Sequence, residues 1–305
     1  MYTYSHKNKR KEANLHALPS LKDDPLQESF LTLTPQGFHK LSYIEWGEKT
    51  CEDVVVCVHA LSRNCRDFDY LAQALEKNYR IACPDLLGSG ASDYVGNSEI
   101  YTFSQYQNDM VNLLARLGTE NVHWLGTCLG GILGMMLAAQ PNSPLKSLIL
   151  NDVGMIVPSL ALQRLLTFAS NDNKFLSFHE AKKYFQTVLA PLGINNPEHW
   201  DHLTQHGIIR DDKKDFRLAY DPAIGQALNQ SNILHLESYW QAIKCPVLVL
   251  RGENSDFLET EVVAKMKHSK PSAEFITIPD CGHSPSLMEP DQIKLIEEWL
   301  SNLSE

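Results

Sequence analysis

The sequence predicts an α/β fold in which a mostly parallel central sheet is covered by helices on both faces and carries an inserted helical segment. Three observations predict it. Strand-like and helical patterns alternate after an initial hairpin, as parallel sheets with crossover helices require. Val54-Val-Val-Cys-Val58 is a continuous β-branched run, which suits a central strand buried on both faces better than a half-exposed one. Val122-His-Trp-Leu-Gly-Thr-Cys-Leu-Gly-Gly131 reads as an apolar strand entering a glycine-flanked turn and then a helix, the geometry that projects a nucleophile.

Taken in order, residues 1–28 cluster Lys7, Lys9, Arg10 and Lys11 and show no periodic apolar pattern, so a flexible, solvated tail is expected. The tail lacks the apolar stretch of a secretory signal and the Arg-rich amphipathic period of an organelle presequence. Strands are expected at 29–34, 39–47, 53–59, 79–84 and 121–126, with helices at 66–77 and 105–117 that make right-handed crossovers. Residues 129–140 are small and apolar on most sides and should form the buried helix behind the turn. After the strand-like Leu145-Lys-Ser-Leu-Ile-Leu-Asn151 the pattern changes. From 155 to 238 the chain reads as helices and loops, with no strand strong enough to join the sheet, and is expected to be a cap inserted into the core formed by 29–154 and 239–305. Within it, Ser177-Phe-His-Glu180 is a capping box followed by Ala181, Tyr184, Phe185, Val188 and Leu189 on one helix face. Asn196-Pro197 starts another helix. The sheet pattern returns after Tyr239 and ends in a helix over 291–303, whose Ile293, Leu295, Ile296, Trp299 and Leu300 can pack on the sheet.

The 305 residues suffice for a substantial core, and 43% apolar with 21% charged residues is a globular composition. The longest apolar runs fall far short of a bilayer span, so no transmembrane segment is expected. With 27 basic and 37 acidic residues the net charge is -10, which disfavours nucleic acid as a partner. Seven cysteines without a CxxC pair indicate neither a disulfide framework nor a zinc cluster, and point to a reducing cytoplasm. No cofactor is implied. The spacing leaves oligomeric state open.

Cys128 is the candidate nucleophile, because a bulky Cβ at Gly126 or Gly130 would collide with the neighbouring strand and helix in so tight a turn. Pro246 to Asp256 is a buried strand running into a polar loop, which puts Asp256 just past a strand end as the candidate acid; Asp152, after the preceding strand, is the substitute. Ala273 to His283 repeats the pattern and places an imidazole at the same sheet edge. The chain order nucleophile, acid, histidine completes a Cys-His-Asp constellation able to form an acyl-enzyme. The backbone NH of Leu129, at a helix start, is one candidate oxyanion donor. His199, His202 and His206 share a helix face, which permits metal binding, but HExxH is absent and a polar face explains them, so no metal is expected. Asp85-Leu-Leu-Gly-Ser-Gly-Ala-Ser92 lacks the third glycine of a dinucleotide fingerprint and any Walker lysine, and reads as a strand-to-loop turn. Phe168, Tyr184, Phe185, Trp200 and Leu203 could line an acyl pocket, although most suit an ordinary cap core.

These residues, with His59-Ala-Leu-Ser-Arg-Asn-Cys-Arg-Asp-Phe-Asp, the Asp85 to Ser92 turn and Cys281-Gly-His-Ser-Pro-Ser-Leu-Met-Glu-Pro, make the chain resemble the α/β-hydrolase superfamily in its capped esterase, lactonase and carbon-carbon bond hydrolase branch, over roughly residues 39–303. Two positions depart from that pattern: Cys128 stands where serine is usual, and Ala60 follows His59 where glycine is usual. The resemblance implies Leu61 as the second oxyanion donor, with His59 buttressing that loop. It implies a hydrolase of a small-molecule ester, thioester or lactone with Cys128, His283 and Asp256 as triad. Carbon-carbon bond hydrolysis, acyl transfer to another acceptor and a receptor-like, non-catalytic role remain alternatives. Substrate-binding residues are not legible.

Overall fold

The computed structural model describes residues 24–210, 215–227 and 235–303. The basic cluster between Lys7 and Lys11 lies outside them. In chain order the elements are β1 (Leu26–Thr34), β2 (Gly37–Trp46), β3 (Val54–Val58), α1 (Asp69–Leu75), β4 (Arg80–Pro84), α2 (Phe103–Leu117), β5 (Val122–Thr127), α3 (Leu129–Ala138) and β6 (Leu145–Asn151). There follow α4 (Ser159–Ala169), β7 (Lys174–Phe175), α5 (Phe178–Val188), α6 (Pro197–Gly207), β8 (Ile208–Arg210), β9 (Phe216–Leu218), α7 (Ala223–Ala227), α8 (Glu237–Ala242), β10 (Val247–Gly252), α9 (Thr260–Ser269), β11 (Glu274–Ile278) and α10 (Pro290–Asn302).

Side chains of a strand point alternately to its two faces, and β3 shows the result. Val54, Val56 and Val58 enter one apolar cluster, while Val55 and Cys57 enter the other. Tyr106, Met110 and Leu113 of α2 and Ile132, Leu133 and Met135 of α3 cover the first face. Leu71 and Leu75 of α1 cover the second, with Ile293, Ile296 and Leu300 of α10. Each large aliphatic side chain buried this way contributes about 1.5–3 kcal/mol, so β3 is fixed from both sides.

The eight-stranded sheet runs β1-β2-β4-β3-β5-β6-β10-β11. β1 with β2 and β2 with β4 are antiparallel, and the other pairs are parallel. β1 begins inside the segment expected as tail, since Leu26, Gln27 and Glu28 pair with Glu45, Ile44 and Tyr43. α2 starts at Thr102, whose hydroxyl accepts from Gln105 N, and stops at Gly118 with φ +69°, where a left-handed residue ends the helix at little cost.

The segment between β6 and β10 is mainly helical. Its β7, β9 and β8 form a separate three-stranded sheet and do not join the main one. Ser177 caps α5 by accepting from Glu180 N at 3.2 Å, while Glu180 reaches back one residue further than a standard box, to Leu176 N at 2.9 Å. Asn196 caps α6 through Glu198 N at 3.0 Å. Among the described residues no helix is long and apolar enough to cross a membrane.

Candidate active site

β5 ends at Thr127 and α3 starts at Leu129, so Cys128 alone carries the reversal, at φ +49° and ψ -107°. Side-chain-bearing residues rarely occupy such a conformation, and holding one there costs about 1–3 kcal/mol. Close packing holds it. A Cβ on Gly126 would run into the backbone of Gly130 and Gly131, and one on Gly130 into the carbonyl of Val58. Cys128 N donates to Asn151 O at 3.1 Å, and Ile132 N donates to Cys128 O at 3.0 Å.

His283 lies in the loop between β11 and α10 and lines the same cavity as Cys128, whose sulfur acts on the ring's titration. Its Nδ1 is 2.7 Å from Asp152 Oδ2, and the Phe257 ring stacks on it at 4.2 Å. Burial opposes a charged imidazole here, but the Cys128 sulfur and the Asp152 carboxylate outweigh it and raise the pKa to about 10. Asp152 is fully buried just past β6. Its Oδ1 accepts from Gly252 N at 2.9 Å, and its Oδ2 accepts from Ser255 Oγ at 2.6 Å as well as from His283.

The carboxylate beside His283 is therefore Asp152, and the expectation that Asp256 would orient the ring is corrected. The loop after β10 turns Ser255 inward to Asp152 and Asp256 outward, where it is 53% exposed. There Arg164 of α4 grips both Asp256 oxygens, with Nη2 at 2.9 Å from Oδ1, and holds the carboxyl below its ordinary pKa. Asn151 joins the two halves of the site: its Nδ2 donates to Thr127 Oγ1 at 3.1 Å and to Pro285 O at 2.9 Å, tying the strand before Cys128 to the loop of His283.

Leu129 N belongs to the first turn of α3, where backbone NH groups have no partner within the helix. Leu61 shares a cavity wall with Cys128. His59 supports that loop: Nδ1 is 2.7 Å from Ala60 O, and Nε2 accepts from Leu86 N at 3.0 Å. Both bonds suit a neutral ring, and burial lowers its pKa.

Cys128 and His283 face a cavity of about 310 Å³ that is mostly apolar. The inserted segment supplies its far wall, with Leu165, Phe168, Leu189 and Leu203 among the lining residues. Tyr184, Phe185 and Trp200 instead pack with the apolar cluster. Two lining cations were not visible in the sequence: Arg164 and Arg63, the latter only 7% exposed and paired with Asp67. No spacing rule marks them, because the segment bearing Arg164 meets the core only through tertiary folding. His199, His202 and His206 do not form a solvated face; Tyr70 lies 4.5 Å from the His199 ring and 5.2 Å from the His202 ring.

Residues 53–290 match the family model described as alpha/beta hydrolase fold. The chain is 37% identical over 280 residues to a 3-hydroxybutyrate-oligomer hydrolase of Cupriavidus necator, a match covering 88% of this chain and 95% of that one. A solved structure from Rickettsia typhi superposes with a TM-score of 0.85 at 33% identity, covering 92% of this chain and 99% of the other. An alpha/beta hydrolase from Novosphingobium aromaticivorans gives 0.81 at 30% identity, with the same coverage. A sharp strand-to-helix turn, a buried imidazole and an eight-stranded sheet thus come with similarity along nearly the whole length: the chain belongs to the alpha/beta hydrolase fold family and is an enzyme of that family.

Proposed function

We propose that the protein hydrolyses esters of short hydroxy acids, with oligomers of the 3-hydroxybutyrate type as the substrate class, and that the inserted segment acts as a cap over the acyl chain. The observation that carries this reading is the alignment of Cys128, His283 and Asp152 at the floor of a mainly apolar cavity. The relative from Cupriavidus necator supports the substrate class.

The sulfur of Cys128 attacks the ester carbon while His283 holds the thiol's proton, and Asp152 fixes the ring through Nδ1. The resulting oxyanion is met by the NH groups of Leu129 and Leu61; one such donor is typically worth about 3–4 kcal/mol of barrier. When the intermediate collapses, the carbon-oxygen bond breaks and the His283 proton goes to the leaving alkoxide, leaving a thioester on Cys128. Water then attacks that thioester with His283 as base. The hydroxy acid leaves, and the thiol is regenerated.

The test is intact-mass analysis of the full chain quenched during turnover of a 3-hydroxybutyrate dimer and of p-nitrophenyl butyrate. An acyl adduct mapped to Cys128, absent in Cys128→Ala, is expected. Turnover without an adduct at Cys128, or tight binding with neither turnover nor adduct, defeats the reading.

A further inference from the structure

A second group of ligating side chains lies away from the reaction site, where α6 of the insert packs on the start of α1. Asp69, His202 and His206 each present a donor atom there, all within 4.8 Å of one another. We propose that these residues form a binding site for a divalent transition metal, with zinc the best match to the donors, and that the ion fastens the insert to the core.

The carboxylate supplies the independent evidence. Asp69 is completely buried, and its Oδ2 accepts from Arg66 Nε at 2.6 Å. Its Oδ1 is buried with no hydrogen-bond partner. An unsatisfied buried oxygen is costly, more so when charged, and a cation facing the two imidazoles would satisfy it while Arg66 keeps the other oxygen. His202 Nε2 lies 3.4 Å from Asp69 Oδ2 and donates to Arg66 O at 2.9 Å, a bond that a metal on Nε2 would replace. Its ring is 4.6 Å from that of His206, one helical turn on.

Two imidazoles and one carboxylate are a common zinc set, with water completing a tetrahedron. The location gives the site a consequence for the enzyme. Phe68 and Leu203, chain neighbours of Asp69 and His202, line the reaction cavity. An ion bridging α1 and α6 therefore braces two walls of that cavity.

The experiment titrates the chelator-treated full chain with Co²⁺ alone and then with Zn²⁺ alone. Expected are one bound equivalent, cobalt d–d absorption without a thiolate charge-transfer band, and a Tm that rises with metal. His206→Gln, a substitution at a half-buried position, should weaken binding by more than about tenfold, and Cys128→Ser should leave it unchanged. No bound cobalt, unchanged affinity in His206→Gln, or a thiolate band that disappears in Cys128→Ser overturns the proposal, the last by assigning the metal to the reactive sulfur. Should His206→Gln fail to fold, the wild-type spectrum decides between nitrogen/oxygen and sulfur ligation.

Discussion

Two aspartates stand just past apolar strands, and exchanging each for asparagine separates their roles. Asp152 receives three donors: Gly252 N on one oxygen, and Ser255 Oγ and His283 Nδ1 on the other. An asparagine has one oxygen, so either orientation turns an NH₂ toward at least one of those donors. Leaving a buried donor unsatisfied costs about 1–3 kcal/mol of stability. Loss of the carboxylate also releases the imidazole from its tautomer, a change worth about 10³–10⁴ in kcat, or roughly 4–5.5 kcal/mol of barrier. Asp256→Asn breaks only a half-exposed pair with Arg164. Such pairs are worth less than about 1 kcal/mol, which keeps kcat/KM within about fivefold. Initial rates on p-nitrophenyl butyrate, with urea unfolding of each variant as the folding control, make the comparison. A collapse of kcat in Asp256→Asn with near-normal turnover in Asp152→Asn would refute the assignment.

Gly130→Ala pushes a methyl into the Val58 carbonyl and should cost about 1–3 kcal/mol or more in urea unfolding, with activity lost in step; an unperturbed variant would mean the turn is not tightly packed. In Cys128→Ser the leading influence raising the His283 pKa is removed, so an NMR titration should find the ring well below about 10. Because that pKa is raised in the folded state, protonated His283 stabilises the fold fully below its unfolded pKa near ~6.5 and loses that effect as pH rises through about 10. Unfolding free energy should accordingly fall less between pH 7 and 10 in the variant than in wild type. Arg164 lines the cavity, so the proposed substrate class leads to one more expectation: Arg164→Met should raise KM for acid-ended 3-hydroxybutyrate oligomers and leave a neutral aryl ester unaffected, whereas equal effects on both would mean that Arg164 does not meet the acid end.

The sheet was legible because β3 and β5 write their burial into mostly apolar runs, and the turn because Gly126 and Gly130 flank Cys128 at positions where any Cβ would meet backbone. The choice of acid was not legible. Asp152 and Asp256 occupy equivalent places in the chain, and what separates them is Gly252 and Ser255, donors about a hundred residues from Asp152 in sequence. β7, β8 and β9 are two or three residues long, too short for alternation to appear. The inward packing of α6 escaped for a related reason: His202 meets Arg66 across 136 positions, and helical spacing reports which residues share a face without saying what that face touches.

Cys128 and Asp152 are both in place before the chain enters the insert, on strands joined by Cys128 N to Asn151 O. The imidazole arrives only after the chain has returned to the sheet. The segment between β6 and β10 thus interrupts the chain between the carboxylate and the imidazole, so that only the closing of the sheet, and not nearness in sequence, brings Asp152 and His283 together.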